Sequence, residues 1–252
     1  MRNKLIEDLA KKESVFTYED IRDITRTSNI KNNTLWVMLS RLEKGGQIER
    51  IEKGKYMIIP LGAEKKKYTL NEFVIGSLLI KPCSMAYWNA LNFYGLTEQI
   101  PNTVFIQTTE RKKKQKAEIF GVKYKIVSIK DAKFFGIRKE WIENTQINIT
   151  DREKTIIDCL DKPQYCGGVI EIAKALKNNE FDKERLINYA KNIGNSGVMR
   201  RLGYLSDFLG TDINVPKINT RNYLYLDPTM PREGFKNAKY KLIINLNLDN
   251  LE

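Results

Sequence analysis

Histidine is absent from all 252 residues. Its absence removes the commonest general base, the commonest metal ligand and every Ser-His or Cys-His dyad at once. Cysteine is scarce. Cys83, Cys159 and Cys166 are odd in number and fall in no zinc-type spacing, so neither a disulfide framework nor a metal centre is expected, and the thiols read as reduced and mostly buried. Long apolar runs are missing too. The longest, at 73–80, is broken by Gly76 and Ser77 and falls well short of the roughly 20 residues that cross a bilayer. The opening Met1-Arg2-Asn3-Lys4-Leu5 starts a charged amphipathic helix, not a signal peptide. The expectation is a cytoplasmic protein with no membrane partner. There is no glycine-rich loop to cradle phosphate, and no Gly-Ser followed by the paired aspartates of a nucleotidyltransferase, so no catalytic residue, cofactor or enzymatic activity is expected.

Positive charge is abundant. Forty-three Lys and Arg face 31 Asp and Glu, a net charge of +12, and the excess is concentrated in the first 150 residues. Such a balance favours a polyanionic partner without locating a site. The chain length fits two domains: residues 1–61, a connector at 62–69 containing Lys65-Lys66-Lys67, and residues 70–252. The expected class is α+β, a winged helix-turn-helix followed by a larger mixed domain.

The winged reading rests on 16–59. Thr17 is placed to cap a helix beginning near Tyr18, with Asp20 reaching back and Phe16 stapled onto Ile21. The polar turn Thr27-Ser28-Asn29 follows. The next helix, at about 33–44, sets Leu35, Met38, Leu39 and Leu42 at i, i+3, i+4, i+7, one core-facing stripe. Its other face carries Asn32, Asn33, Thr34, Trp36, Val37, Ser40, Arg41 and Lys44, with Lys31 just before it. These suit base edges and phosphates in a major groove; the plainer alternative is a wet helix face. Gly45-Gly46 stops the helix. The runs 47–51 and 56–59 then form a hairpin whose turn, Glu52-Lys53-Gly54-Lys55, presents Lys53 and Lys55 to phosphate as a wing. A first helix at 3–12 completes the head.

Beyond the connector, an apolar helix at 70–80 runs into Pro82, and Ser84 caps a second helix at 85–94, whose aromatics belong in a core more readily than on a base-stacking platform. Strands follow at 103–108 and 122–129, bracketing Arg111, Lys112, Lys113, Lys114 and Lys116. This loop is either a second phosphate contact or a solvated excursion. Further β segments lie near 134–137 and 147–149. A capping box at Thr150-Asp151-Arg152-Glu153 opens a helix to Leu160. Asp151, Asp158 and Asp161 read as helix-end and solvated carboxylates rather than an active site. Helices at 169–176, 182–192 and 196–209 follow, with Arg200 and Arg201 assigned to the surface, and 223–226 and 240–246 close the domain as strands.

Several segments together resemble one family. Ala86-Tyr87-Trp88-Asn89-Ala90-Leu91 with Tyr94-Gly95-Leu96-Thr97-Glu98-Gln99-Ile100-Pro101, the stretch from Asp151-Arg152-Glu153-Lys154 to Asp158-Cys159-Leu160-Asp161, Tyr165-Cys166-Gly167-Gly168 and Arg201-Leu202-Gly203-Tyr204-Leu205 are similar to AbiEi antitoxins of abortive-infection systems. The resemblance covers nearly the whole chain and implies a type IV toxin-antitoxin module. In such a module the winged head represses its own operon on double-stranded DNA with inverted repeats, possible self-association on DNA included, and the larger domain opposes a nucleotidyltransferase toxin. No catalytic residue carries over. The competing expectation is a stand-alone regulator whose larger domain senses a small molecule.

Overall fold

The computed structural model describes residues 14–26, 30–60, 62–63, 68–216, 219–249 and 251. The expected helix at 3–12, the Thr27-Ser28-Asn29 turn and the Lys65-Lys66-Lys67 run lie outside the described residues. The chain is α+β, with eight described helices and three described sheets.

The first sheet is built from β1 (Val15–Thr17), β2 (Ile48–Glu52) and β3 (Lys55–Ile58), antiparallel in the order β1-β3-β2. Helices α1 (Tyr18–Thr25) and α2 (Asn32–Lys44) cover one face. The start of α1 is the expected capping box: the Asp20 amide donates to Thr17 Oγ1 at 3.2 Å, and the Thr17 amide donates to the Asp20 carboxylate at 2.6 Å. Phe16, Ile21, Leu35, Leu39, Leu42, Ile48, Tyr56 and Ile58 form the core beneath, while Met38 is only half-buried. Helix α2 starts one residue earlier than expected, with Lys31 at its cap and no side chain capping it. It is Gly46, at φ +71, that takes the left-handed turn after it.

The opposite face of this sheet is not free. Val15, Ile51, Met57 and Ile59 join one apolar cluster with α3 (Glu72–Leu79) and the second sheet. Along β3 the side chains alternate between the two cores, Tyr56 and Ile58 to one side, Met57 and Ile59 to the other, as a strand buried on both faces must.

The second sheet has six strands in the order β6-β7-β5-β4-β9-β8. They are β4 (Ser84–Met85), β5 (Thr103–Thr108), β6 (Lys116–Ile119), β7 (Val122–Ser128), β8 (Ile137–Ile142) and β9 (Thr145–Thr150). Two expectations change here. Ser84 caps no helix: Ser84 and Met85 lie opposite Gln107 and Ile106 of β5, and Met85 lies opposite Ile149 of β9, so this dipeptide fills the slot between two longer strands. Its helix, α4 (Trp88–Phe93), is correspondingly short. Strands β5 and β7 are parallel neighbours, and the end of the basic run, Lys116, begins a further strand, β6, between the two expected ones in sequence.

On the side of the sheet away from α3, a second core gathers α5 (Arg152–Asp161), α6 (Val169–Asn178), α7 (Lys183–Asn192) and α8 (Ser196–Leu209). A small third sheet closes it, with β10 (Leu224–Tyr225) parallel and β11 (Phe235–Asn237) antiparallel to β12 (Leu242–Ile244). The three cysteines are free and buried.

Charged groups expected at the surface are inside. Asp158 is 3% exposed and ion-paired to Lys154, which is fully buried and sits 4.8 Å above the Phe135 ring. Burial pushes the Asp158 carboxyl up from its ordinary value, and Lys154 opposes that shift. Asp161 accepts hydrogen bonds from Lys133 and Asn195, both at 2.7 Å. Asp151, not Thr150, is the N-cap of α5, accepting from the Lys154 amide and the Tyr189 hydroxyl. Arg201 is buried and donates to the carbonyls of Leu226, Leu160 and Tyr225, tying β10 to α5 and α8; Arg200, buried beside it, donates to the Asn222 carbonyl. Asp151, Arg200 and Arg201 belong inside because they satisfy backbone groups that no apolar side chain could, whereas Lys154 and Asp158 are held by each other.

Lys154→Ala strands a buried carboxylate and is expected to lower unfolding free energy by about 3–5 kcal/mol. The double substitution Lys154→Met/Asp158→Leu is expected to recover most of that loss. Urea denaturation of the three proteins measures both effects, and a single variant as stable as the parent would contradict the pairing.

Candidate nucleic-acid interface

Helix α2 projects its long polar face outward. Lys31, Asn32, Asn33, Thr34, Trp36, Val37, Ser40, Arg41 and Lys44 are all exposed. The face exists because Leu35, Leu39 and Leu42 hold the opposite side of the helix in the core. Among the described residues, Lys31, Arg41, Lys44 and Lys53 form no ion pair. Their charge is therefore directed to solvent.

Trp36 has a second role. Its ring stacks on Tyr18 with centroids 4.3 Å apart and planes 8° apart, and the Tyr18 amide donates to the Gly54 carbonyl at 2.7 Å. One face of the indole thereby couples α2 to α1 and to the hairpin turn; the other remains outward, with Trp36 39% exposed.

The hairpin turn divides its two lysines. Lys53 is exposed at the tip. Lys55 is not: its ammonium donates to Glu52 at 2.9 Å and to the Leu79 carbonyl at 2.7 Å. Lys55 begins β3, opposite Thr17, and that position aims it at the body instead of outward. Its expected role as a phosphate contact is corrected to a structural one.

The basic loop divides in the same way. Lys112 donates to both Glu52 oxygens, at 2.9 and 3.3 Å, and to the Leu79 carbonyl at 2.9 Å, so it too is engaged. Arg111, Lys113, Lys114 and Lys116 are exposed. Two ammonium groups thus converge on one carboxylate and on the last carbonyl of α3, where the helix dipole is negative. This clamp brings the basic loop beside the hairpin, 60 residues away in sequence. Burial raises the Glu52 pKa, but hydrogen bonds and charge from Lys55 and Lys112 outweigh it, and the net shift is downward. The spacing Glu52…Lys55 gives one partner of the clamp; nothing in the sequence indicates Lys112.

No protein-family model matches this sequence, and no curated protein matches it. The structure is similar to a crystal structure of the Rv2827c protein from Mycobacterium tuberculosis. The TM-score is 0.66 at 16% identity, covering 96% of this chain and 90% of that one. At that identity the likeness concerns the fold. Among the described residues no cluster of ligating side chains could hold a metal ion, and no described helix is long and apolar enough to cross a membrane.

The lowered Glu52 pKa stabilises the fold above the ordinary glutamate value near 4.5, and that contribution is lost as pH falls through the depressed folded-state value. The urea midpoint of Glu52→Gln is therefore expected to fall below that of the parent at pH 7, with the gap beginning to close only as pH falls below about 4.5. A gap that does not narrow on acidification would contradict the clamp.

Proposed function

We propose that residues 14–59, with the helix expected upstream, act as a winged helix-turn-helix head, and that the protein is a DNA-binding antitoxin and transcriptional autorepressor opposing a nucleotidyltransferase-type toxin. The observation that carries the DNA reading is the exposed face of α2, nine outward residues in which Lys31, Arg41 and Lys44 form no ion pair among the described residues, adjoining a hairpin with Lys53 at its tip. The element order supports it: helix, helix, glycine stop, then a hairpin, with α2 held on one side of a small antiparallel sheet as in groove-reading folds. The antitoxin role rests on the AbiEi resemblance of the middle segments. In this reading the chain is a regulator without catalysis, and Arg111 and Lys113, set beside the hairpin by the Glu52 clamp, supply further phosphate contacts.

A gel shift on the chain's own upstream DNA tests the proposal. Preferred binding over random DNA, weakening steeply with salt as counterions are released, is expected. Asn33→Ala and Arg41→Ala should each lose sequence preference by about 1–3 kcal/mol, whereas Lys53→Ala should weaken binding to all sequences alike. Lys55→Ala should act on stability instead of on DNA. Equal affinity for random DNA would sink the reading.

A further inference from the structure

The strands β5, β6 and β7 turn one face to α3; on the other, Val127 joins the second core and Phe105 packs against it, while Lys116, Glu118 and Lys123 toward the β6 edge stay exposed. Val104, Ile106, Tyr124 and Ile126 lie in the buried cluster with α3, so the residues between them share the other face. The register pairs make that face explicit: Phe105 lies opposite Lys125, Lys125 opposite Lys116, and Lys123 opposite Glu118. Lys114 from the basic loop and Tyr165 from the turn after α5 complete a cleft of about 610 Å³, within the roughly 300–1,000 Å³ typical of ligand sites.

Two features of the cleft stand out chemically. Four lysines line it, and none is ion-paired among the described residues, although Glu118 is present. Lys116 and Lys125 face each other directly across the strand pair, an arrangement that destabilises a sheet unless an anion lies between the charges. Phe105 and Tyr165 form the second feature. Their ring centroids are 5.4 Å apart, and both rings are braced against the buried Tyr87, at 6.2 and 5.3 Å. An aromatic wall thus stands beside a floor of four lysines and one glutamate, net cationic, in which the Lys125 ammonium donates to the Gln115 carboxamide oxygen at 3.5 Å, and the Gln164 carboxamide offers both a donor and an acceptor.

We propose that this cleft binds a nucleotide, its base against Phe105 and Tyr165 and its phosphates on Lys114, Lys116, Lys123 and Lys125. Aromatic stacking and lysine-phosphate attraction together fit a nucleotide better than they fit an acidic peptide, which would leave the aromatic wall unused. The site does not depend on the α2 reading, because it lies on different elements. Either a free nucleotide or an unstacked nucleotide of a single strand supplies this chemistry.

Isothermal titration calorimetry of the full chain with ATP, tripolyphosphate, an octathymidylate strand and an oligoglutamate peptide tests the assignment. ATP or the strand should bind with a dissociation constant below about 1 mM, and tripolyphosphate and oligoglutamate should bind about tenfold more weakly or worse, since neither can stack. Tighter binding of the strand than of ATP identifies single strands as the source; the reverse identifies free nucleotides. Lys123→Gln/Lys125→Gln, at solvent-facing positions, should weaken binding about tenfold or more, and Tyr165→Leu about tenfold. No binding of ATP or of the strand, tripolyphosphate or oligoglutamate matching them, or a double variant that binds as the parent does would overturn the proposal. Asn33→Ala/Arg41→Ala should keep nucleotide binding intact, so failure of the DNA reading and failure of this one are distinguishable.

Discussion

The structure depends on a small sheet that is buried on both sides. Phe16, Tyr56 and Ile58 point into the α1–α2 core, while Val15, Ile51, Met57 and Ile59 point into the cluster with α3. Removing that second set of apolar side chains from water is the main driving force joining the two parts. The Glu52 clamp adds direction to it. Two lysines that would otherwise repel are held by a carboxylate and a helix-end carbonyl, and this fixes how the hairpin meets the basic loop. Residues 14–59 are therefore less an appended module than one layer of a continuous packing.

Much of the head was legible because local physics decides it. A capping box needs only Thr17 and Asp20 at the right spacing, and a 13-residue helix with leucines on one face declares itself. The double burial of the sheet was legible in principle. Tyr56-Met57-Ile58-Ile59 does not alternate with polar residues, and a strand that is apolar throughout is one with no wet face. Ser84-Met85 was not legible, because a two-residue strand is defined by the neighbours β5 and β9 and not by its own propensity.

Charged residues were the least legible. Lys154, Asp158, Arg200 and Arg201 have the composition of a surface and the position of a core. For the arginines the partners that put them inside are distant in sequence, such as the carbonyls of Leu226 and Tyr225 for Arg201; Lys154 and Asp158 pair four residues apart, and only the packing of α5 into the core shows that the pair is buried. The same lesson divides the basic residues of the candidate sites. Lys53 and Lys55 are two residues apart in one turn, yet one faces solvent and the other the end of α3. Lys123 and Lys125 alternate with Tyr124 and Ile126 in one β-branched run, a pattern that marks a strand with one dry face and a face that begins cationic.

The Tyr18–Trp36 stack has a consequence for rigidity. Because Tyr18 is bonded to the hairpin turn through Gly54 and stacked on the middle of α2, helix and hairpin tip move as one piece. That piece is in turn fused to the body through Val15, Ile51, Met57 and Ile59. Whatever surface the outward face of α2 meets, the remaining bulk of the protein approaches it at one set angle, so a partner's shape is tested by the whole molecule and not by a tethered head.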